Sequence, residues 1–497
     1  MNIIGRIALA GAICASCGWA QEWEREVRAL RPASVSAQEK ALLDFIQNRA
    51  QLALDFVPHA RTAAQADAAR PKLRAQLEES LGFRRLPPPD PRPRVVGTLE
   101  RGGYRIEKLV YHSLPGVSVA AHLYIPAALK DRAPAILFYT GHWYPDSKTR
   151  PDFQAFCINM ARLGFVVLAF DPFGQGERGI STRDHRRVEM LLVGLAQQGL
   201  AVYESQCALA VLLARPEVDP ARIGMTGASG GGYNTWMTSA LDDRIKVAVP
   251  VVGTSDFLEQ IQVARGLDWY HAEEHCHFVP GLIRYANNHE FVALVAPRPL
   301  LIVSAFQDET FPVAGVRRIA GYAHDLYAAY GRSGATAYSE DSSESHGYQQ
   351  KKREAAYGWF LNWLMQRGDG GPYPEPPTTT TPWDAAELRC FPPGENQPAG
   401  PGIMAAVRQL AQGLPPADAK PDFHTATYDR EIPFFYFGFD ALRSFDLPGL
   451  MAASRVDGLV IDPIDGDWNR VAPARARKLL PTTVEAGDDR AFANLLR

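Results

Sequence analysis

Five residues, Gly227-Ala228-Ser229-Gly230-Gly231, set a serine among glycines between an apolar run and a helix-like one. A serine so placed can attack an acyl carbon if a histidine takes its proton and a carboxylate fixes that histidine's tautomer. The spacing has a steric reason: on a tight strand-to-helix turn, the residues two before and two after the serine must be tiny for the backbones to pass. Such a turn presents the hydroxyl at the carboxyl end of a sheet and aims the next N–H, that of Gly230, at a developing oxyanion. A glycine-rich turn with an incidental serine is the bland alternative. The flanks argue against it, because "RIGMTGA" reads as a strand and "GGYNTWMTSAL" as the start of a helix.

The partners are expected in the order serine, acid, histidine. "PLLIVSAFQDETFP" supplies Asp308 just past an apolar strand, with Glu309 beside it as the weaker choice. For the base, His324 falls inside a helix-like stretch, whereas His346 in "EDSSESHGYQQ" follows the last expected strand and precedes the final helix. His346 is therefore the expected base. A second oxyanion donor is expected from "FYTGHWYPDSK", as a backbone N–H of the Gly141, His142 and Trp143 loop rather than as a second base at His142. Trp143 and Tyr144 would wall the pocket, and Tyr233 just past the elbow would join them against substrate. In "AFDPFGQGERG", Asp171, Gly174 and Gly176 form a turn, and Glu177 and Arg178 are expected to fix loops. "HAEEHCHF" holds His271, His275, Cys276 and His277, with two histidines four apart, but neither HExxH nor a nearby cysteine pair. No metal is assigned there, and the stretch is read as pocket lining or surface polarity.

The elements that must hold these residues follow from the texture of the chain. Residues 21–95 read as a helical region that ends in the extended, proline-rich "RRLPPPDPRPR". Then come short β-rich runs, "IEKLVYHS", "GVSVAAHLYIP", "PAILFYT", "FVVLAF", "RIGMTGA", "KVAVPVV", "PLLIVSA" and "ATAYS", most of the later ones separated by helical stretches. The first two, a Leu-Pro-Gly turn apart, predict an antiparallel hairpin. The middle ones are apolar throughout, as strands covered on both faces are. The fold class is α/β: a mostly parallel, doubly wound sheet over 96–367, closed by the amphipathic "REAAYGWFLNWLMQR". A Pro/Thr/Gly-rich linker is expected over 368–390, followed by a smaller segment over 391–497. "GIMAAVRQLAQGLPP" and "LPGLMAASRVDGLVIDPIDGDWNRV" in that segment echo "PKLRAQLEESLGFRRLPP" and "EFVALVAPRPLLIVSAFQDETFPV", which suggests a degenerate partial repeat.

A net charge of −3 over 497 residues points to neither nucleic acid nor an anionic membrane surface as partner. Residues 1–20 carry Arg6, an apolar run from Ile7, and small residues at Gly18 and Ala20, the pattern of a secretory signal cleaved near Ala20. The run is shorter than the roughly 20 residues of a membrane anchor, so the expected location is periplasmic or secreted. Cys157, Cys207, Cys276 and Cys390 would remain, too widely spaced for a disulfide framework, with one or two bridges open.

Taken together, "TGASGGGYNT", "ALDDRIKVAVPVV", "HCHFVPGLIRYANNHEFVALVAPRPLLIVSAFQDETFPV", "SHGYQQKKREAAYGWFLNWL" and the "DPFGQGERG" turn resemble the exported bacterial acetylxylan-esterase-like α/β-hydrolases, over roughly Leu73 to Leu364. The chain departs from that family at Tyr233-Asn234, where Thr-Gln is common, and in the histidine-rich stretch before "VPGL", where relatives often carry a second cysteine. The resemblance implies an α/β-hydrolase fold with Ser229 as nucleophile, Asp308 as orienting acid and His346 as base. It also implies carboxylic ester hydrolysis on small-molecule or oligosaccharide esters such as acetylated xylan, without a cofactor. A peptidase or amidase using the same three residues is the alternative enzyme. A binding protein on an inactive version of the fold is the alternative of another class.

Overall fold

In the computed structural model the described residues are 47–48, 50–179, 189–260, 275–277, 279–376, 382–398, 400–412, 458–461 and 484–487. The expected signal segment, His271 and most of the suspected repeat lie outside them. Contacts divide the chain into two units, 1–56 and 57–497, and the second holds every candidate site residue. Among the described residues no helix is long and apolar enough to cross a membrane.

Helix α1 (Ala63–Leu81) opens the larger unit. Thr62 and Gln65 form its capping box, and Gly82 closes it at φ 71°, a left-handed conformation that suits glycine. The sheet then starts earlier than expected. Strand β1 (Arg94–Arg101), unread in the sequence and beginning inside the presumed helical region, pairs antiparallel with β2 (Tyr104–Leu114). None of its residues is buried and it stands at the sheet edge, so it lacks the apolar run that marks a strand. The predicted hairpin is β2 with β3 (Val117–Pro126), turning at Gly116 with φ 75°.

Next along the chain are β4 (Ala133–Tyr139), α2 (Pro151–Arg162), β5 (Val166–Phe170), α3 (Gln197–Leu213), β6 (Val218–Ala228), α4 (Gly230–Leu241) and β7 (Val247–Val251). After these come β8 (Leu300–Gln307), α5 (Val313–Ala329), β9 (Thr336–Ser345) and α6 (Gln350–Met365). The nine strands lie in the order β1-β2-β3-β5-β4-β6-β7-β8-β9, parallel from β5 onward. This is the α/β-hydrolase fold.

Alternation along the buried strands feeds two cores. Ala135 and Leu137 of β4 with Val166 and Leu168 of β5 join α1, α3, α4 and α5 on one face. Ile136 and Phe138 with Val167 and Ala169 join α2 and α6 on the other. Strands so covered must be apolar at every position, which is why they are legible in the sequence.

The stretch expected as a linker is crossed by bonds to the sheet unit. Glu375 accepts from Arg353 and from the Tyr357 hydroxyl, and the Trp383 indole donates to the Tyr104 hydroxyl at 2.9 Å. Farther on, α7 (Gly400–Gln412) buries Ile403, Met404 and Val407 in the same core as α1 and α3. Two short strands, β10 (Gly458–Ile461) and β11 (Val484–Gly487), pair parallel with each other. The four cysteines expected to allow a bridge are all free and buried. They pack apart, with Cys207 directed at Ser113 O and Cys390 at Ala121 O.

A buried ionic knot ties these parts together. Lys148 Nζ lies 2.6 Å from Asp171 at the end of β5 and 2.7 Å from Glu177. Arg178 pairs with Glu204 of α3, and Glu177 also accepts the N–H groups of Cys390 and Phe391. The expected loop-fixing role of Glu177 and Arg178 is what these bonds perform. Burial would raise the Glu177 pKa, but Lys148 and the two amides outweigh it and hold the group at about 2, against an ordinary 4.5. Because the folded value is depressed, the stabilisation is fully present above about pH 4.5 and is lost as pH falls toward 2. Lys148→Met leaves two buried carboxylates without their cation, so it should cost about 3–5 kcal/mol in denaturant unfolding at pH 7. The difference from wild type should shrink as the pH of the measurement falls below about 4.5.

Candidate active site

Ser229 sits between β6 and α4 with φ 59° and ψ −125°, a conformation that non-glycine residues rarely adopt and that clusters at functional sites. Its neighbours explain the motif. A Cβ on Gly227 or on Gly231 would run into the carbonyl oxygen of Tyr139 on β4, so neither position admits a side chain. Across the turn Gly141, at φ 77°, faces the Ala228 carbonyl equally closely.

Because β4, β6, β8 and β9 run parallel, the loops at their carboxyl ends share one sheet edge. His142 and Trp143 follow β4, Ser229 follows β6, Asp308 follows β8 and His346 follows β9. Asp308 is buried, and its Oδ1 accepts the N–H groups of Thr310 and Phe311 at 2.9 and 3.0 Å. His346 Nδ1 lies 3.1 Å from the same oxygen and 3.0 Å from Oδ2. A carboxylate held by two amides cannot swing away, so it fixes the ring whose Nδ1 it accepts from. In such an arrangement the other ring nitrogen can exchange protons with a hydroxyl. His324, the alternative base, lies exposed on α5 against its neighbour Asp325.

Trp143 stacks on His346 at a centroid distance of 5.8 Å, and the Arg150 guanidinium lies 4.1 Å above the Trp143 ring. The ring of His142 occupies the place where a Gly230 side chain would go, so the β4 loop lies directly against the elbow. Tyr144 packs at Gly179. Tyr233 is buried, donating to Asn288 and packing edge-on against His277, so it touches the site through that ring. His275, Cys276 and His277 form a single 3₁₀ turn, with Cys276 Sγ 3.6 Å from His142 Nδ1.

Two residues of the site give no sequence signal of their own. Phe311 also stacks on His346, at 6.0 Å, and lends its N–H to Asp308. Tyr348 bonds Thr226 on β6 at 2.9 Å, tying the histidine loop to the strand that carries the serine. Their only cue is nearness, three residues after the acid and two after the histidine. Tyr348→Phe removes that one buried bond and should lower stability by about 1 kcal/mol in denaturant unfolding.

The sequence model of the prolyl oligopeptidase family matches residues 151–367. The chain is 32% identical over 289 residues to a Bacillus subtilis protein named "Putative hydrolase YtaP", spanning 56% of this chain and 95% of that one. A Pseudomonas aeruginosa protein of uncharacterized role, PA2218, is 31% identical over 143 residues, 29% of this chain and 35% of its own. Among solved structures, a methylesterase, BT1017, superposes with a TM-score of 0.58 at 21% identity, over 76% of this chain and 80% of that one. At that identity the likeness bears on the fold alone.

Proposed function

The chain belongs to the family of the Bacillus subtilis protein named a putative hydrolase, and from that premise we propose that it is an exported serine ester hydrolase with Ser229 as nucleophile, His346 as base and Asp308 as the acid that orients the base. The observation that carries this reading is the amide-anchored Asp308–His346 pair on the same sheet edge as a serine in a strained turn.

Ser229 Oγ attacks the ester carbonyl carbon as His346 takes the hydroxyl proton. The carbonyl electrons move onto oxygen, where the N–H of Gly230 and one from the Gly141–Trp143 loop stabilise the charge. Collapse of the intermediate expels the alkoxide, which His346 protonates, leaving an acyl-serine. His346 then deprotonates a water that attacks the acyl carbon, and the acid leaves with Ser229 restored. Short acyl esters of carbohydrates, acetylated xylan among them, are the substrate class. The resemblance of the elbow, acid and histidine segments to acetylxylan-esterase-like enzymes supports that choice.

A fluorophosphonate probe followed by peptide mapping tests the nucleophile, with hydrolysis of p-nitrophenyl acetate, acetylated xylan and a peptide anilide measured alongside. The expected result is a single adduct on Ser229 and turnover of both esters well above the anilide. An adduct elsewhere, or none, overturns the assignment of the serine. Preference for the anilide would make the enzyme an amidase, the activity suggested by the name of the matching family model.

A further inference from the structure

The described residues hold one group of metal-ligating side chains whose donors converge: His142 from the loop after β4 with Cys276 and His277 from the 3₁₀ turn. One donor atom of each lies within 4.8 Å of the others. The group combines a thiolate source with two imidazoles, the donor set that favours Zn²⁺-class ions over Mg²⁺ or Ca²⁺. The closest pair is the more telling observation. With a Zn–S bond of about 2.3 Å and a Zn–N bond of about 2.0–2.1 Å, the S···N edge of a tetrahedral site is about 3.6 Å. Cys276 Sγ and His142 Nδ1 stand 3.6 Å apart.

The surroundings already fix two of the rings. Tyr233 and Phe311 pack edge-on against His277 at 5.6 and 5.0 Å, and Gly230 leaves the space that the His142 ring fills. The His142 and His277 ring centroids lie 5.6 Å apart with the rings tilted 56° to each other. Cys276 is buried, and the two histidines are partly exposed.

We propose that His142, Cys276 and His277 form a three-ligand site for one Zn²⁺-class ion on the wall of the candidate active site, with the fourth coordination position left to water or a ligand oxygen. Binding deprotonates the Cys276 thiol, releases that proton to solvent and leaves both imidazoles neutral. None of its three side chains takes or gives a proton in the proposed ester reaction.

Co²⁺ is the probe, titrated into the full chain carrying no histidine tag. The expected result is one equivalent bound, with a thiolate-to-Co²⁺ charge-transfer band in the near ultraviolet and intense visible bands of a tetrahedral ion, both displaced by Zn²⁺. Cys276→Ser should abolish the near-ultraviolet band. His277→Gln should weaken binding more than about 100-fold, beyond the cost of losing a supporting contact. Circular dichroism shows whether each variant is folded, and the wild-type band stands by itself if one is not. Absence of the band in wild type overturns the site, and so does its persistence in folded Cys276→Ser or unchanged affinity in folded His277→Gln. Any of these would leave a thiol–imidazole hydrogen bond as the meaning of the 3.6 Å contact.

Discussion

Alanine at position 229 should lower kcat on p-nitrophenyl acetate by about 10⁴- to 10⁶-fold, with KM changed far less. The loss is large because the proposed reaction passes through a bond to Oγ, and no second hydroxyl occupies that turn. The split between kcat and KM follows from the same geometry. The substrate contacts proposed for Trp143 and the oxyanion amides do not depend on the hydroxyl, so ground-state binding should survive its removal. Stability should stay within about 0.5 kcal/mol of wild type, since the serine oxygen makes no hydrogen bond that the fold needs and the left-handed φ of 59° remains. A glycine there would relax that strain and raise stability by about 1 kcal/mol while abolishing activity equally. Rates and unfolding midpoints measured together on both variants check these expectations. Wild-type kcat in Ser229→Ala would remove the serine from the mechanism.

Asp308→Asn should cost about 10⁴-fold in kcat, and the reason is one of tautomers. Oδ1 of Asp308 accepts two backbone N–H groups, those of Thr310 and Phe311. The carbonyl oxygen of an asparagine would have to stay there, because an NH₂ group facing two N–H donors leaves all of them unsatisfied. The NH₂ group would then stand where Oδ2 is, 3.0 Å from His346 Nδ1. It donates to that nitrogen, so the proton of the neutral ring moves to Nε2. The ring then offers the serine a proton instead of a lone pair. Because both amide bonds survive, the unfolding midpoint should move little. A full kcat at an unchanged midpoint would mean that Asp308 does not set the tautomer of His346.

How far the sequence carries these conclusions depends on the range of the forces involved. The apolar central strands, the hairpin and the helices that close the sheet are legible because burial on two faces leaves a mark on every residue of a strand. The elbow is legible because only glycine at positions 227 and 231 clears the Tyr139 carbonyl. Strand β1 escapes such a reading because an exposed edge leaves no mark of that kind. The pairing of His142 with Cys276 escapes it for a different reason: the two are 134 residues apart, and no local pattern encodes a contact made by tertiary packing. The Pro/Thr-rich stretch reads as a spacer because its composition is loose, whereas its anchors are the single residues Glu375 and Trp383, whose side chains bond α6 and β2, with the Trp383 N–H bonding Gln154 on α2.

The grip of Glu177 on residues 390 and 391 has a further consequence. It takes hold of main chain alone, through the N–H groups of Cys390 and Phe391. A change of side chain at either position leaves those N–H groups in place, although Cys390 and Phe391 are buried against Val110 and Ala120 and must still fit that space. Proline is the exception, since it brings no N–H to give. The Glu177 carboxylate's share of the joint thus reads backbone, while the packing of Leu388, Cys390 and Phe391 reads shape. Farther downstream the side chains matter again, because α7 is held by Ile403, Met404 and Val407 in the core.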